Sequence, residues 1–342
     1  MSAPRKVTLS DVASRAGVSA TTASYILNNR TAEMRISADA AERVRRAAVE
    51  LAYRPNRSAR SLRTAKTKTI GLISDSVASG QFSSQMLTGA SAASRDCEHL
   101  LVIGETEGDA MLEDQLIDEM LDRQVDGIVY ATLVATNVSL PARLHDHRVV
   151  LLNCIDPERD TPAVLPDELE GGRTAASVLL EAGVADRLFV IGVDPNPQAI
   201  AGPLRFEGIQ AAMAAAGREV AGVVDSDWGV LQAYDAVTEW LDRGERPTSL
   251  ICLNDRIAMG TYQALAEHGL RIPEDVSVVS FDGSSLATWL RPSVSSVTIP
   301  FPDLGATAVR TLMDPDLRPG TVKRLHMPVL HGRSVRSPIA AR

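Results

Sequence analysis

Residues 7–29, VTLSDVASRAGVSATTASYILNN, hold two short helical patterns separated by a glycine-marked turn. In the first, Thr8 and Asp11 have the spacing of a capping box, Leu9, Val12, Ala13 and Ala16 form an apolar stripe, and Gly17 supplies the stop. In the second, Ser19 stands at the N-cap and Ala23, Ile26 and Leu27 make the buried stripe, which leaves Ala20, Thr21, Ser24, Tyr25 and Asn28 for the opposite side. The connection is only a few residues long, as in a helix-turn-helix. Ser37 caps a third predicted helix running to about Ala52, whose Ala41, Val44, Ala48 and Leu51 face the first two. Three such helices can share one small core.

Downstream, Pro55 ends the third helix and opens NRSARSLRTAKTKT, a basic segment with too few apolar groups to fold unaided. From Thr69 the texture changes to short apolar runs alternating with helical ones: TIGLISD (69–75), LLVIGE (100–105), DGIVYAT (126–132) and RVVLLNC (148–154). A second series follows with RLFVIGV (187–193), EVAGVVDS (219–226), SLICLND (249–255) and VSVVSFD (276–282). Strands of this kind alternating with helices predict parallel α/β sheets, and their number exceeds one sheet, so two Rossmann-like lobes are expected. Ligands of such sheets bind at the carboxyl ends of strands, where Asp75, Asn254, Asp255 and Asp282 fall.

Charge separates the same regions. The 342 residues carry a formal net charge of −8, yet residues 1–68 hold 14 Lys/Arg against 5 Asp/Glu and residues 69–342 hold 21 against 38. A basic headpiece on an acidic body concentrates near phosphate while the body stays in solvent, which makes nucleic acid the first partner to expect. Cys97, Cys154 and Cys252 have no metal-ligand spacing, and the six His form no cluster; His145 and His147 in LHDHR read as a surface loop. No cofactor and no metal are expected. The amino-terminal MSAPRKVTLSD lacks the apolar stretch of a secretion signal, and no segment approaches about 18 continuous apolar residues, so a cytoplasmic chain outside the membrane is expected.

VTLSDVASRAGVSATTASYILNN followed by YRPNRSARSLRTAKTKTIGLI (53–73) resembles the LacI/GalR family of bacterial transcription regulators. So do GPLRFEGIQAAMAAAG (202–217), LICLNDRIAMGTYQALAEHGLRIPEDVSVVSFDG (250–283) and LHGRSV (330–335), in family order. The resemblance covers essentially the whole chain. It implies a helix-turn-helix headpiece over 1–54, a hinge over 55–68 and a two-lobed, periplasmic-binding-protein-like body. One lobe is expected over 69–165 plus about 296–330 and an effector-binding lobe over 166–295. It implies a homodimer on operator DNA, and HGRSVRSPIAAR has no heptad for higher assembly.

Residue by residue, the resemblance assigns base contacts to Ala20, Thr21 and Tyr25; many relatives carry Arg where Tyr25 stands. Ser19, Thr22, Ser24 and Asn28 are short polar groups suited to phosphate. In the hinge, Leu62 matches an apolar wedge for the minor groove, Ala59 lies three positions earlier, and Arg57, Arg60 and Arg63 form a basic stripe. For a small effector, a sugar first and a nucleobase second, the resemblance implies Arg205, Asn254, Asp255 and Asp282, with Asp75 and Phe82 from the first lobe. That last match is weaker, because ASGQF stands where relatives show Asn-Pro-Phe. Trp289 has two open readings, a ring stacked on a sugar or packed in the core. A solute-binding protein would explain the lobes but not the basic headpiece. No GxGxxG after the first strand, P-loop or G-x-S-x-G elbow supports an enzyme, and no catalytic residue is expected.

Overall fold

The computed structural model describes residues 7–28, 31, 34, 36–53, 66–80, 84–192 and 196–336. The chain divides into two units, Met1–Thr67 and Lys68–Arg342. Arg57, Ala59, Arg60, Leu62, Arg63 and Phe82 lie outside the described residues.

The first unit contains α1 (Leu9–Ala16), α2 (Ala20–Leu27) and α3 (Ala38–Glu50). Thr8 and Asp11 form the reciprocal capping box, and Gly17 ends α1 in the left-handed conformation at φ 67°. Ser19 Oγ accepts from the Thr22 amide at 3.1 Å and Ser37 Oγ from the Ala40 amide at 3.3 Å, so each later helix also starts on a serine cap. Val12, Ala13, Ala16, Ala23, Ile26, Ala41, Val44 and Ala47 bury one common core.

The second unit holds two six-stranded sheets. The first has the order β11-β5-β4-β3-β1-β2, with β1 (Thr69–Ser74), β2 (Leu100–Glu105), β3 (Gly127–Asn137), β4 (Val149–Ile155), β5 (Ala163–Pro166) and β11 (Val322–Leu325), all parallel. The second has the order β12-β10-β9-β8-β6-β7, with β6 (Leu188–Ile191), β7 (Gly222–Val224), β8 (Ser249–Cys252), β9 (Ser277–Asp282) and β10 (Ser295–Thr298) parallel and β12 (Val329–Leu330) antiparallel. The connecting helices are α4 (Ser84–Asp96), α5 (Ala110–Asp122), α6 (Glu168–Glu181), α7 (Ala201–Ala215), α8 (Val230–Asp242), α9 (Asp255–Glu267), α10 (Ser285–Trp289) and α11 (Phe301–Met313).

Among the described residues three crossings join the lobes: after β5, after β10 and after β11. The second lies past Thr298, slightly later than 296, because β10 pairs with β9 and buries Val297 in the second core. The third returns the chain before 330, since β12 pairs with β10. Beside the crossings, β3 runs past its sheet: the Ile200 amide donates to the Ala135 carbonyl at 2.9 Å and the Asn137 amide to the Gln198 carbonyl at 2.8 Å. Among the described residues no helix is long and apolar enough to cross a membrane.

Candidate functional site

In the first unit, Ser19, Ala20 and Thr21 stand exposed at the start of α2, while Thr22, Ser24, Tyr25 and Asn28 are half-buried. The Ser19 and Thr22 hydroxyls lie 2.8 Å apart in a mutual hydrogen bond, and Asn28 Nδ2 donates to the Ser24 carbonyl at 2.7 Å. Capping therefore explains Ser19 and Asn28 locally, whereas Ala20 and Thr21 are free of any burial requirement.

In the second unit the two lobes face each other across a narrow cleft with about 100 Å³ of internal space. Leu133, Val134, Ala135 and Asn153 line it from the first lobe, and Glu168, Arg205, Trp228, Arg256 and Asp282 from the second. Ile299 and Phe301, at the second crossing, complete an apolar wall. A larger depression on the first lobe mixes three arginines, Arg148, Arg159 and Arg318, with Asp146, Glu158 and Asp160, and has His145 and His147 but no Phe, Tyr or Trp in its lining. The cleft has the convergent polar groups on apolar walls that small-molecule recognition needs.

Arg205 is the centre of the site and is almost wholly buried. Its Nε and Nη2 donate to the Glu168 carboxylate at 2.6 and 3.0 Å, and its Nη1 donates to the Leu253 carbonyl at 2.5 Å. The guanidinium lies 4.6 Å from the Phe281 ring centroid and 5.5 Å from that of Trp228. Helix packing delivers this pair. A Cβ on Gly172 would meet the Arg205 carbonyl oxygen at 2.1 Å and one on Gly208 the Leu169 carbonyl oxygen at 2.0 Å, so only glycines allow α6 and α7 to approach this closely. Glu168 opens α6, where the helix dipole favours its negative charge.

Asp282 ends β9 at φ 97° with its Oδ1 3.8 Å from Arg205 Nη1. Burial pushes its carboxyl up to about 7; Arg205 opposes that rise and Asp255 adds to it. Asn153 Nδ2 donates to the carbonyls of Thr132 and Leu133 at 3.1 and 3.0 Å, which fixes its amide at the cleft wall.

The other expected effector residues support the cleft from behind. Asn254 Oδ1 caps α9 by accepting from the Ile257 amide at 2.7 Å, and its Nδ2 donates to the Trp228 carbonyl at 3.3 Å. Asp255 is buried and accepts from the Ser284 amide, the Ser284 hydroxyl and the Ser296 hydroxyl at 2.7, 2.8 and 2.9 Å, tying β10 to the start of α10. Burial raises its carboxyl above the ordinary range. Asp75 accepts from the Leu133 amide at 2.9 Å and so holds a cleft-lining segment without lining the cleft itself.

Trp289 requires a correction. It is 64% exposed and absent from the cleft wall, so it neither stacks there nor packs in the core. Helix α10 starts beyond the Asp282–Gly283 strand end and carries Trp289 to its far terminus, with Ala287 as its buried residue. Glu168, Asn153, Trp228, Arg256 and Phe301 were not singled out from sequence. Trp228 had a usable signal, since it follows the strand run EVAGVVDS at a carboxyl end. Glu168 had none beyond its place after the Asp167 cap.

Among the described residues no cluster of His, Cys, Asp and Glu has metal-binding geometry. Residues 8–56 match the pattern of the lacI family of bacterial regulatory proteins, and residues 176–333 match a periplasmic binding protein-like domain. The ribose operon repressor of Haemophilus influenzae is 30% identical over 319 residues, covering 90% of this chain and 91% of its own. The HTH-type transcriptional repressor PurR of Erwinia tasmaniensis is 32% identical over 315 residues, covering 90% and 89%. The lac repressor dimer bound to operator and the anti-inducer ONPF superposes with a TM-score of 0.80 at 21% identity, over 96% of this chain and 99% of that one. With capped headpiece, two parallel lobes and a polar cleft between them, this chain belongs to the LacI family: it is a DNA-binding regulator of transcription and not an enzyme.

Proposed function

We propose that the chain is a repressor that reads a near-palindromic operator as a homodimer and whose hold on that operator is set by a sugar bound in the cleft. The observation that carries the effector class is the meeting of the Trp228 ring with Asp282, Glu168 and Asn153 on one small cavity. An aromatic face suits the apolar side of a pyranose or furanose, and carboxylates and amides suit its hydroxyls. In this reading Arg205 and Asp282 face the ligand, while Asn254, Asp255 and Asp75 hold the elements that carry the wall. Phe82 is assigned to the same wall through the family resemblance alone.

For the operator, α2 enters the major groove with Ala20, Thr21 and Tyr25 toward base edges, and Ser19, Thr22, Ser24 and Asn28 toward phosphate. Arg57, Ala59, Arg60 and Leu62 extend the contact through the linker. Dimerisation has apolar surface to use: Leu100 and Ile103 on edge strand β2 and Val223 on edge strand β7 are 55%, 43% and 41% exposed, and Leu231 and Trp289 are 70% and 64% exposed. Large exposed apolar groups on sheet edges mark a surface that another chain covers.

The test is fluorescence anisotropy on a labelled near-palindrome from the protein's own upstream region, with sugars and nucleobases added singly. One sugar shifting a salt-sensitive, sequence-preferring titration is expected, and Trp228→Ala should abolish that shift while leaving binding in its absence intact. A nucleobase giving the only shift would replace the effector class; equal affinity for a scrambled duplex would overturn the operator reading.

A further inference from the structure

The cleft is smaller than the ligand assigned to it. Its internal space is about 100 Å³, whereas small-molecule sites enclose about 300–1,000 Å³. The lobes are held this close by a contact that is not one of the chain crossings. Past the register shift between Ala131 and Thr136, strand β3 meets the segment that leads into α7 in an antiparallel bridge, Thr136 opposite Ala199. The Ile200 amide donates to the Ala135 carbonyl at 2.9 Å, the Asn137 amide to the Gln198 carbonyl at 2.8 Å, and Thr136 Oγ1 to that same carbonyl at 2.9 Å. Ile200 and Ala201 then pack into an apolar core of the first lobe, although α7 belongs to the second. Ala135 and Ala201, at the end of this bridge, both line the cleft, so it cannot widen there while the bridge is made. The pieces on either side are fixed. Asn153 Nδ2 holds the Thr132 and Leu133 carbonyls, Thr132 Oγ1 donates to the Asn153 carbonyl at 2.8 Å, and Asp75 accepts from the Leu133 amide. On the other lobe, α7 is locked to α6 by the glycine contacts and by the Arg205–Glu168 pair. A bridge of three hydrogen bonds, that of Thr136 Oγ1 exposed, is the joint that gives first. Closure also leaves Trp228 Nε1 shut from solvent with no acceptor among the described residues, an unfavourable burial that the bridge offsets.

We infer that this bridge is an autoinhibitory strap: it holds the lobes too close for the effector to enter, and the effector binds the form in which 135–137 and 198–200 have parted. The inference rests on the cleft being the effector site. Its sign follows from populations. The ligand meets only the fraction of molecules whose strap is open, so the apparent affinity is the intrinsic one reduced by that fraction. Weakening the strap therefore tightens effector binding, the reverse of what losing a ligand contact does.

The experiment uses the full-length protein and two opposite changes. Thr136→Val removes the hydroxyl and keeps the branched shape. Thr136→Cys with Ala199→Cys locks the strap, because the two residues face each other as a non-hydrogen-bonded pair with Cα atoms about 4.5 Å apart, within disulfide range. Access is first read without a ligand, by acrylamide quenching of Trp228 fluorescence in a Trp240→Phe, Trp289→Phe background. Quenching should rise about twofold or more in Thr136→Val, and should fall when the cysteine pair is oxidised and return on reduction. Calorimetry with D-glucose, D-galactose and D-ribose then reads affinity. A sugar whose binding is lost in Trp228→Ala should bind Thr136→Val about 2–10-fold more tightly and the oxidised pair not at all. If thiol titration shows that the pair does not oxidise, Thr136→Val still decides. Quenching that follows neither change, or a sugar held equally by the oxidised and reduced pair, would overturn the strap. Quenching that follows the strap while no sugar binds in a Trp228-dependent way would leave the strap standing and overturn the sugar assigned to the cleft.

Discussion

Arg205 and Glu168 form a buried ion pair, and such a pair contributes less to stability than its short distances suggest, because both charges lost their water. Removing one partner is another matter. Arg205→Met leaves the Glu168 carboxylate buried without its counter-ion and should cost about 3–5 kcal/mol, whereas Arg205→Met combined with Glu168→Met should recover most of that loss. Urea melts of the two single variants and the double variant check this, and a double change that costs the sum of the two single changes would mean that the pair is not coupled. Asp282 makes a separate statement about pH. The folded state keeps its proton up to about pH 7, while the unfolded chain releases it near 3.8. Between those values the folded state binds more protons, so the contribution of this group is intact below about pH 4 and is lost as pH rises toward 7. Asp282→Asn has nothing to titrate and should gain on the wild type by at least about 1 kcal/mol on going from pH 5 to pH 8. Asp75 and Asp255, also raised by burial, leave a smaller slope of the same sign in that variant.

At the scale of elements, the pairing of α6 with α7 converts two glycines into a binding site. Gly208→Ala must push Leu169 and its helix outward, which separates Glu168 from Arg205; a cost of about 1–3 kcal/mol and loss of effector response are expected, with operator binding retained. Thermal melts and the anisotropy titration read the two effects separately. This contact also marks where sequence reasoning stops. The caps at Thr8, Ser19 and Ser37 are legible because a side chain and an amide three residues apart satisfy each other locally. The strands are legible because a parallel sheet buried on both faces needs continuous apolar runs. Helix α7 begins at Ala201 although Gly202 and Pro203 read locally as breakers, because a proline in a first turn surrenders no hydrogen bond. Arg205 and Asp282 were legible as strand-end or family positions, but their partners were not. Glu168 lies 37 residues from Arg205, and nothing local to either announces the pair. Asn254 and Asp255 carry the right chemistry in the right order, yet their lone pairs are committed to backbone and serine groups behind the cleft.

Over the whole molecule, function requires the basic first unit and the acidic second unit to work as a two-fold pair. An operator with two half-sites rewards a protein that presents two headpieces, because the second contact forms within the complex at high effective concentration. The exposed Ile103 and Val223 lie on the two edge strands β2 and β7, where a parallel sheet would otherwise stop against water. Replacing both by Asp puts charge on each edge without touching either core. Sedimentation should then report a monomer in which effector affinity is unchanged, since every cleft residue named here comes from one chain. Operator affinity should fall by about 10²–10⁴-fold through lost bivalency. The salt dependence separates this cause from simple misfolding. A single headpiece neutralises about half as many phosphates as two, so the slope of log affinity against log salt should drop to about half its dimer value. An unfolded variant would lose effector binding as well. A dimeric variant with the full slope would instead show that these edges are not the contact, and would move the two-fold interface to the surface that carries Leu231 and Trp289.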